Sequence, residues 1–91
     1  MAEHLRAARM SLVNALNKAT ISGLVDKLLD QKVFNDSEKE IIDSISVTKD
    51  KARELIDMVI KKGDNASSIF INALSVQDPE LCRNVFSNLN F

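Results

Sequence analysis

The sequence predicts an all-α protein, a six-helix antiparallel bundle in a single domain over residues 1–91. Three observations predict it. Apolar residues recur at helical spacing through most of the 91 residues. One proline and two glycines are all that interrupt the chain, too few for the tight turns of a β-sandwich. Helix start signals also fall between the apolar stripes, at intervals that suit short helices joined by short connections.

The first helix is expected over residues 3–18, from Leu5, Ala8, Leu12, Val13 and Leu16. Thr20 is placed to cap the second. Ile21, Leu24, Val25, Leu28 and Leu29 then form one stripe over residues 21–31. The segment KVFND breaks that pattern. Ser37 followed by Glu40 has the spacing of a capping box, which starts a short third helix with Ile41, Ile42 and Ile45 inward. Thr48 is expected to cap the fourth helix, whose core side is Ala52, Leu55, Ile56, Val59 and Ile60. Lys61 and Lys62 suit the negative end of its dipole, and Gly63 suits a left-handed stop. Asp64 or Asn65 would cap a fifth helix carrying Ile69, Phe70, Ala73 and Leu74. Asp78-Pro79-Glu80 supplies a cap, a first-turn proline and a first-turn acid for a sixth, lined by Leu81, Val85, Phe86 and Leu89. The chain stops almost where this helix does, as expected of an excised domain or of a protein that is only this domain.

Side chains that carry chemistry are sparse. The one histidine, His4, is expected on the surface of a frayed terminus, where fixed geometry is rare. The one cysteine, Cys82, reads as a small buried hydrophobe and cannot form an internal disulfide. One Cys and one His do not build a zinc site without several carboxylates, and there is no glycine-rich phosphate loop. No catalytic role, metal or cofactor is expected. No apolar run reaches the roughly 18–20 residues that span a bilayer, and the N-terminus lacks the apolar core of a signal peptide, so a cytoplasmic location is the default.

Charge is the informative feature. The net charge is −1, which gives no global attraction to nucleic acid. Its distribution is segregated. Residues 1–18 carry Arg6, Arg9 and Lys18 against Glu3, a balance of +2. Residues 19–48 carry three lysines against six acids, a balance of −3; residues 49–62 carry five Lys/Arg against Asp50, Glu54 and Asp57, again +2. On helical wheels Asp26 and Asp30 share an outward face of the second helix, Arg6 and Arg9 one of the first, and Lys49 and Arg53 one of the fourth. Like charges at i, i+4 destabilise a helix by about 0.2–0.5 kcal/mol, a local cost with no packing return. The basic set Arg6, Arg9, Lys49 and Arg53 and the acidic set Asp26 and Asp30 are therefore candidate protein-binding patches. A molecule with one patch of each sign can bind its own kind head to tail. The lysines of residues 49–62 are too interleaved with acids for a nucleic-acid face.

The segments TISGLVDKLLDQKVFND and TKDKARELIDMVIKKG resemble the caspase recruitment domain (CARD) of inflammatory caspases of the caspase-1 group and of small CARD-only regulators. The markers are Thr20-Ile21 with Gly23-Leu24, Asp26 followed by Leu28-Leu29, then Asp50-Lys51 with Arg53, Leu55-Ile56-Asp57 and Lys62-Gly63. The resemblance implies a death fold with a bent first helix. It implies CARD–CARD assembly through three kinds of contact, propagated into helical filaments, and a role in recruiting and clustering a caspase in inflammasome and pyroptosis signalling. The implied partners are CARD-containing adaptors, sensors or caspases, and further copies of the chain. In the family's best-known contact, basic residues on helices one and four meet acidic residues on helices two and three of a neighbour. Arg9 and Arg53 match the basic positions and Asp26 the acidic one; Arg6 and Asp30 are added from the wheels. A CARD-only decoy or a sensor or adaptor CARD fits the same pattern. Lipopolysaccharide binding, with Lys61/Lys62 or Arg6/Arg9 as its basic residues, is a minor alternative. The first helix of these relatives is often richer in Lys and Arg, whereas Ala7, Ala8, Met10 and Ser11 dilute it here.

Overall fold

A computed structural model describes residues 1–87 and contains the six helices expected: α1 (Ala2–Ala15), α2 (Lys18–Asp30), α3 (Asp36–Asp43), α4 (Thr48–Lys62), α5 (Asp64–Gln77) and α6 (Pro79–Phe86). α4 and α5 are central. α4 packs against α1, α2, α3 and α5, and α5 against α1, α2, α4 and α6. α1 packs on α4, α5 and α6 but on neither α2 nor α3. The α4–α5 pair thus stands between α1 and the α2–α3 pair. Leu5, Leu12, Leu24, Leu28, Ile42, Leu55, Ile56, Val59, Phe70 and Leu74 are shut off from water and form one core. This single apolar cluster drives the chain's collapse.

The apolar stripes fell where expected, but most helix starts did not. α1 ends at Ala15, three residues early, because Leu16 turns to extended backbone (ψ 134°). Asn17, not Thr20, then caps α2: its Oδ1 accepts from the Thr20 amide at 2.8 Å. Thr20 is a buried first-turn residue, and its carbonyl accepts from Gln77 Nε2 on α5 at 2.9 Å. Gly23 makes room for this tie, since a Cβ there would come within 2.5 Å of the Gln77 side chain.

α2 ends in a Schellman motif. The Lys32 amide donates to the Leu29 carbonyl (3.0 Å) and the Val33 amide to that of Leu28 (2.9 Å), with Lys32 itself at φ 62°. A non-glycine residue there carries strain of about 1 kcal/mol. The turn delivers Phe34 into the core, and the capping box follows at once. It is Asn35 with Glu38, both bonds 2.9 Å, two residues ahead of the expected Ser37–Glu40 pair. The anchored Phe34 selects the earlier of the two boxes. Ile42 is buried, whereas Ile41 is half exposed and Ile45 lies past the helix end.

Thr48 is the first residue of α4 rather than its cap; Val47 holds the cap position without a side-chain bond. Gly63 alone joins α4 to α5, at φ 105° and ψ −165°, a conformation essentially confined to glycine. Asp64 does not cap α5. Its Oδ1 accepts from the Ala2 amide (2.9 Å) and the terminal amine (3.2 Å), so it caps α1 from across the bundle. The N-terminus is therefore tied down, and His4 is partly buried, with Nδ1 3.1 Å from Met1 Sδ. Asp78 caps α6 as expected, Oδ1 accepting from the Leu81 amide, with Pro79 in the first turn. Cys82 is buried among core residues, and burial pushes its thiol pKa up, away from the reactive thiolate. Leu89 lies outside the described residues.

Candidate protein-interaction surfaces

Two charged faces result from this packing. One is built on α1 and α4. Every turn of α1 is anchored by Leu5, Ala8 and Leu12 in the core, which leaves Arg6 exposed and Arg9 at the margin facing α4. Ala52, Leu55, Ile56 and Val59 anchor α4 in the same way, leaving Lys49, Arg53 and Lys61 exposed. A groove of about 550 Å³ runs between the two helices, with Arg6, Arg9 and Lys61 on its walls beside Glu54 and Asp57.

The arginines of this face already have partners. Arg9 makes a fork on Asp57: Nε donates to Oδ1 at 2.7 Å and Nη2 to Oδ2 at 2.9 Å. Arg53 donates to Asp50, three residues back, at 2.7 Å. Among the described residues Arg6 and Lys49 make no such pair. The Arg9 guanidinium holds the Asp57 carboxyl below the usual carboxylate range, and Lys61 adds to that pull. Asp57 in turn raises the pKa of Arg9. The groove brings Arg6 and Arg9 together with Lys61, not with Lys49 or Arg53, and α4 interleaves acids with its cations.

The other face is built on α2 and α3. Asp26 and Asp30 are exposed and make no direct ion pair among the described residues. Lys39 of α3 donates to Asp43 at 2.6 Å, and the fields of Asp43, Asp26 and Asp36 together raise its pKa. Asp26 is therefore close enough to α3 to act on it, and one lysine sits amid three acids. Two residues of α3, Asp36 and Asp43, belong to this face although the sequence reading did not single them out. The Lys39–Asp43 spacing of i, i+4 was the available signal. Nothing in the sequence pointed to the Arg9–Asp57 pair, whose members are 48 residues apart.

The two faces are spatially distinct. α1 lies on the far side of α4–α5 from the α2–α3 pair, while α4 itself borders both. A contact also ties α4 to α3. Lys62, at the end of α4, pairs with Glu38 of α3 at 2.8 Å and lies 5.8 Å from the Phe34 ring centroid. Of the lysines weighed for lipopolysaccharide, Lys62 is thus committed within the molecule and Lys61 is exposed. No described helix is long and apolar enough to cross a membrane.

The family model for the caspase recruitment domain matches residues 2–88. Caspase-1 of Mus musculus is 44% identical over 75 residues, covering 81% of this chain and 19% of that protein. Caspase-1 of Sus scrofa is 44% identical over 78 residues, 85% of this chain and 19% of its own length. An inhibitor of apoptosis protein of Gallus gallus is 38% identical over 82 residues, 90% of this chain and 13% of its own. The chain spans about a fifth or less of the curated relatives it matches. Its six helices are those of a death-fold bundle, and it belongs to the caspase recruitment domain family, whose members are non-catalytic modules for homotypic protein interaction.

Proposed function

We propose that this chain recruits and clusters a caspase in the cytoplasm by head-to-tail contact with other caspase recruitment domains. The α1–α4 face of one molecule, with Arg6, Arg9, Lys49 and Arg53, receives the α2–α3 face of the next, with Asp26 and Asp30. The exposed acids of α2, Asp26 and Asp30, set against the arginines of α1 and α4, carry this reading. Such a contact is heterologous, and when its rotation does not close it propagates as an open filament. Similarity to two caspase-1 chains over about a fifth of their length favours the prodomain of an inflammatory caspase acting in inflammasome signalling. Clustering there would raise the local concentration of an attached protease domain. A CARD-only decoy would use the same faces to occupy or cap a partner's filament.

The test is Asp26→Arg. Asp26 is exposed on α2 and outside the core, so circular dichroism should be unchanged. Sedimentation should show that oligomers of the chain, alone or seeded by a partner domain, are lost. Oligomers of normal size and amount from the folded variant would remove Asp26 from the interface and the reading with it.

A further inference from the structure

The basic groove holds its own counterion. A guanidinium carries five N–H donors. Asp57 takes two of them through the Nε/Nη2 fork, using both of its oxygens. Both Nη1 hydrogens and one on Nη2 remain. Arg6, one turn back on α1, and Lys61, one turn on along α4, stand on the same groove with no ion pair among the described residues. A carboxylate arriving from another molecule therefore finds three cations, but it also meets Asp57, whose side chain is 46% exposed. Asp57 has two opposed effects. It ties α1 to α4, and it repels an incoming acid while occupying part of the arginine best placed to bind it. A half-exposed bidentate fork contributes modestly to stability, whereas a like charge in a binding groove acts on association directly.

We infer that Asp57 is a built-in competitor for Arg9, which sets how strongly the α1–α4 groove takes a carboxylate side chain from a second caspase recruitment domain. This rests on the head-to-tail reading above and adds what tunes it. It also names Lys61 as part of the groove's binding set. The isolated molecule keeps Arg9 partly neutralised, so a single contact stays weak and assembly depends on many contacts forming together.

The experiment needs one interface in isolation. A first variant, Asp26→Ala with Asp30→Ala, weakens the acidic face and leaves the basic one intact; a second, Arg9→Ala with Arg53→Ala, does the reverse. Mixed, they can join through a single contact between the first variant's basic face and the second's acidic face, contributed there by the α3 acids with Asp26 and Asp30. Sedimentation equilibrium gives its Kd. Adding Asp57→Asn to the first variant should tighten the contact about threefold to tenfold at about 0.15 M salt, while its melting temperature stays level or falls. Adding Glu54→Gln, which removes a groove acid that does not hold Arg9, should tighten it less. A structural role for Asp57 predicts that affinity and melting temperature fall together. Affinity that Asp57→Asn leaves unchanged or lowers overturns this inference alone, and Asp57→Ser provides the same reading should the Asn variant not fold. Failure of the two parent variants to associate at all overturns the head-to-tail reading and this inference with it.

Discussion

The α1–α4 face and the α2–α3 face carry opposite charge on the same scaffold, yet they keep it differently. On the first, Arg9 and Arg53 each have an acid of α4 within 2.7 Å. On the second, Asp26 and Asp30 make no direct ion pair among the described residues, and Lys39 pairs with Asp43. The reason is local. α4 interleaves its charges, so Arg53 meets Asp50 one turn back and Arg9 meets Asp57 across the α1–α4 crossing. α2 presents two like charges at i, i+4 and tolerates the small helical cost. The acids of α2 are therefore open for binding, while the two arginines Arg9 and Arg53 must first displace their own counterions.

The largest expected effect comes from reversing a charge on the basic face. Arg53→Glu leaves Asp50 without its partner and turns the surface at the start of α4 acidic. Assembly should be lost as completely as with Asp26→Arg, with helix content unchanged. Mixing the two reversed variants should restore part of it, because the carboxylate introduced at position 53 then faces the guanidinium introduced at position 26. Sedimentation of the mixture decides the point; restoration with an unrelated acidic variant in place of Arg53→Glu would mean that the rescue is only a matter of net charge.

A smaller effect should follow from removing the cation paired with Asp43 on the acidic face. Lys39→Gln leaves Asp43 without its partner and removes a cation near Asp26 and Asp36. Recruitment of a basic partner face should tighten, about twofold to fivefold at low salt, and more salt should erase the gain. The Lys39–Asp43 pair is exposed, so the melting temperature should move by no more than roughly 2–3 °C. If Lys39→Gln weakens recruitment instead, Lys39 is itself a contact and the face is not simply acidic.

How much of this was legible in the sequence differs between core and caps. The apolar stripes of α2 and α4 were readable because nearly every member is buried by the same 3.6-residue period. The caps were not, because capping residues are common and tertiary anchors choose among them. Asn35 beat Ser37 because Phe34 is fixed in the core just before it. Asp64 looked like the cap of its own helix and instead caps α1, a choice that depends on two helix ends meeting in space. The same limit applies to the surfaces. Exposure of Arg6, Arg53, Asp26 and Asp30 followed from the wheel, but Asp57 as the partner of Arg9 required the α1–α4 crossing. Resemblance supplied which charges to pair across molecules, and local sequence could not show which were already paired within one.

The smallest expected effect concerns the contact that ties α4 to α3. Lys62 is the main reason the Glu38 carboxyl lies below its usual range, ahead of the Asn35 amide. A carboxylate whose folded pKa is depressed stabilises the fold above its unfolded pKa, about 4.3 for Glu, and that contribution is lost as pH falls through the lower folded value. Lys62→Met keeps the apolar stem against Phe34 and removes the charge. Near pH 7 it should lower the melting temperature by about 2–4 °C. As the pH falls far enough to protonate Glu38 in both proteins, the gap should narrow or close. Asp57 and Asp64, also depressed, lose their contributions over the same acid range in both proteins, so they cancel in the difference. A gap that persists unchanged in acid would mean that Lys62 acts through its contact with the Phe34 ring rather than through Glu38. The relation of α3 to α4, and with it the spacing of the two faces, would then rest on packing and not on charge.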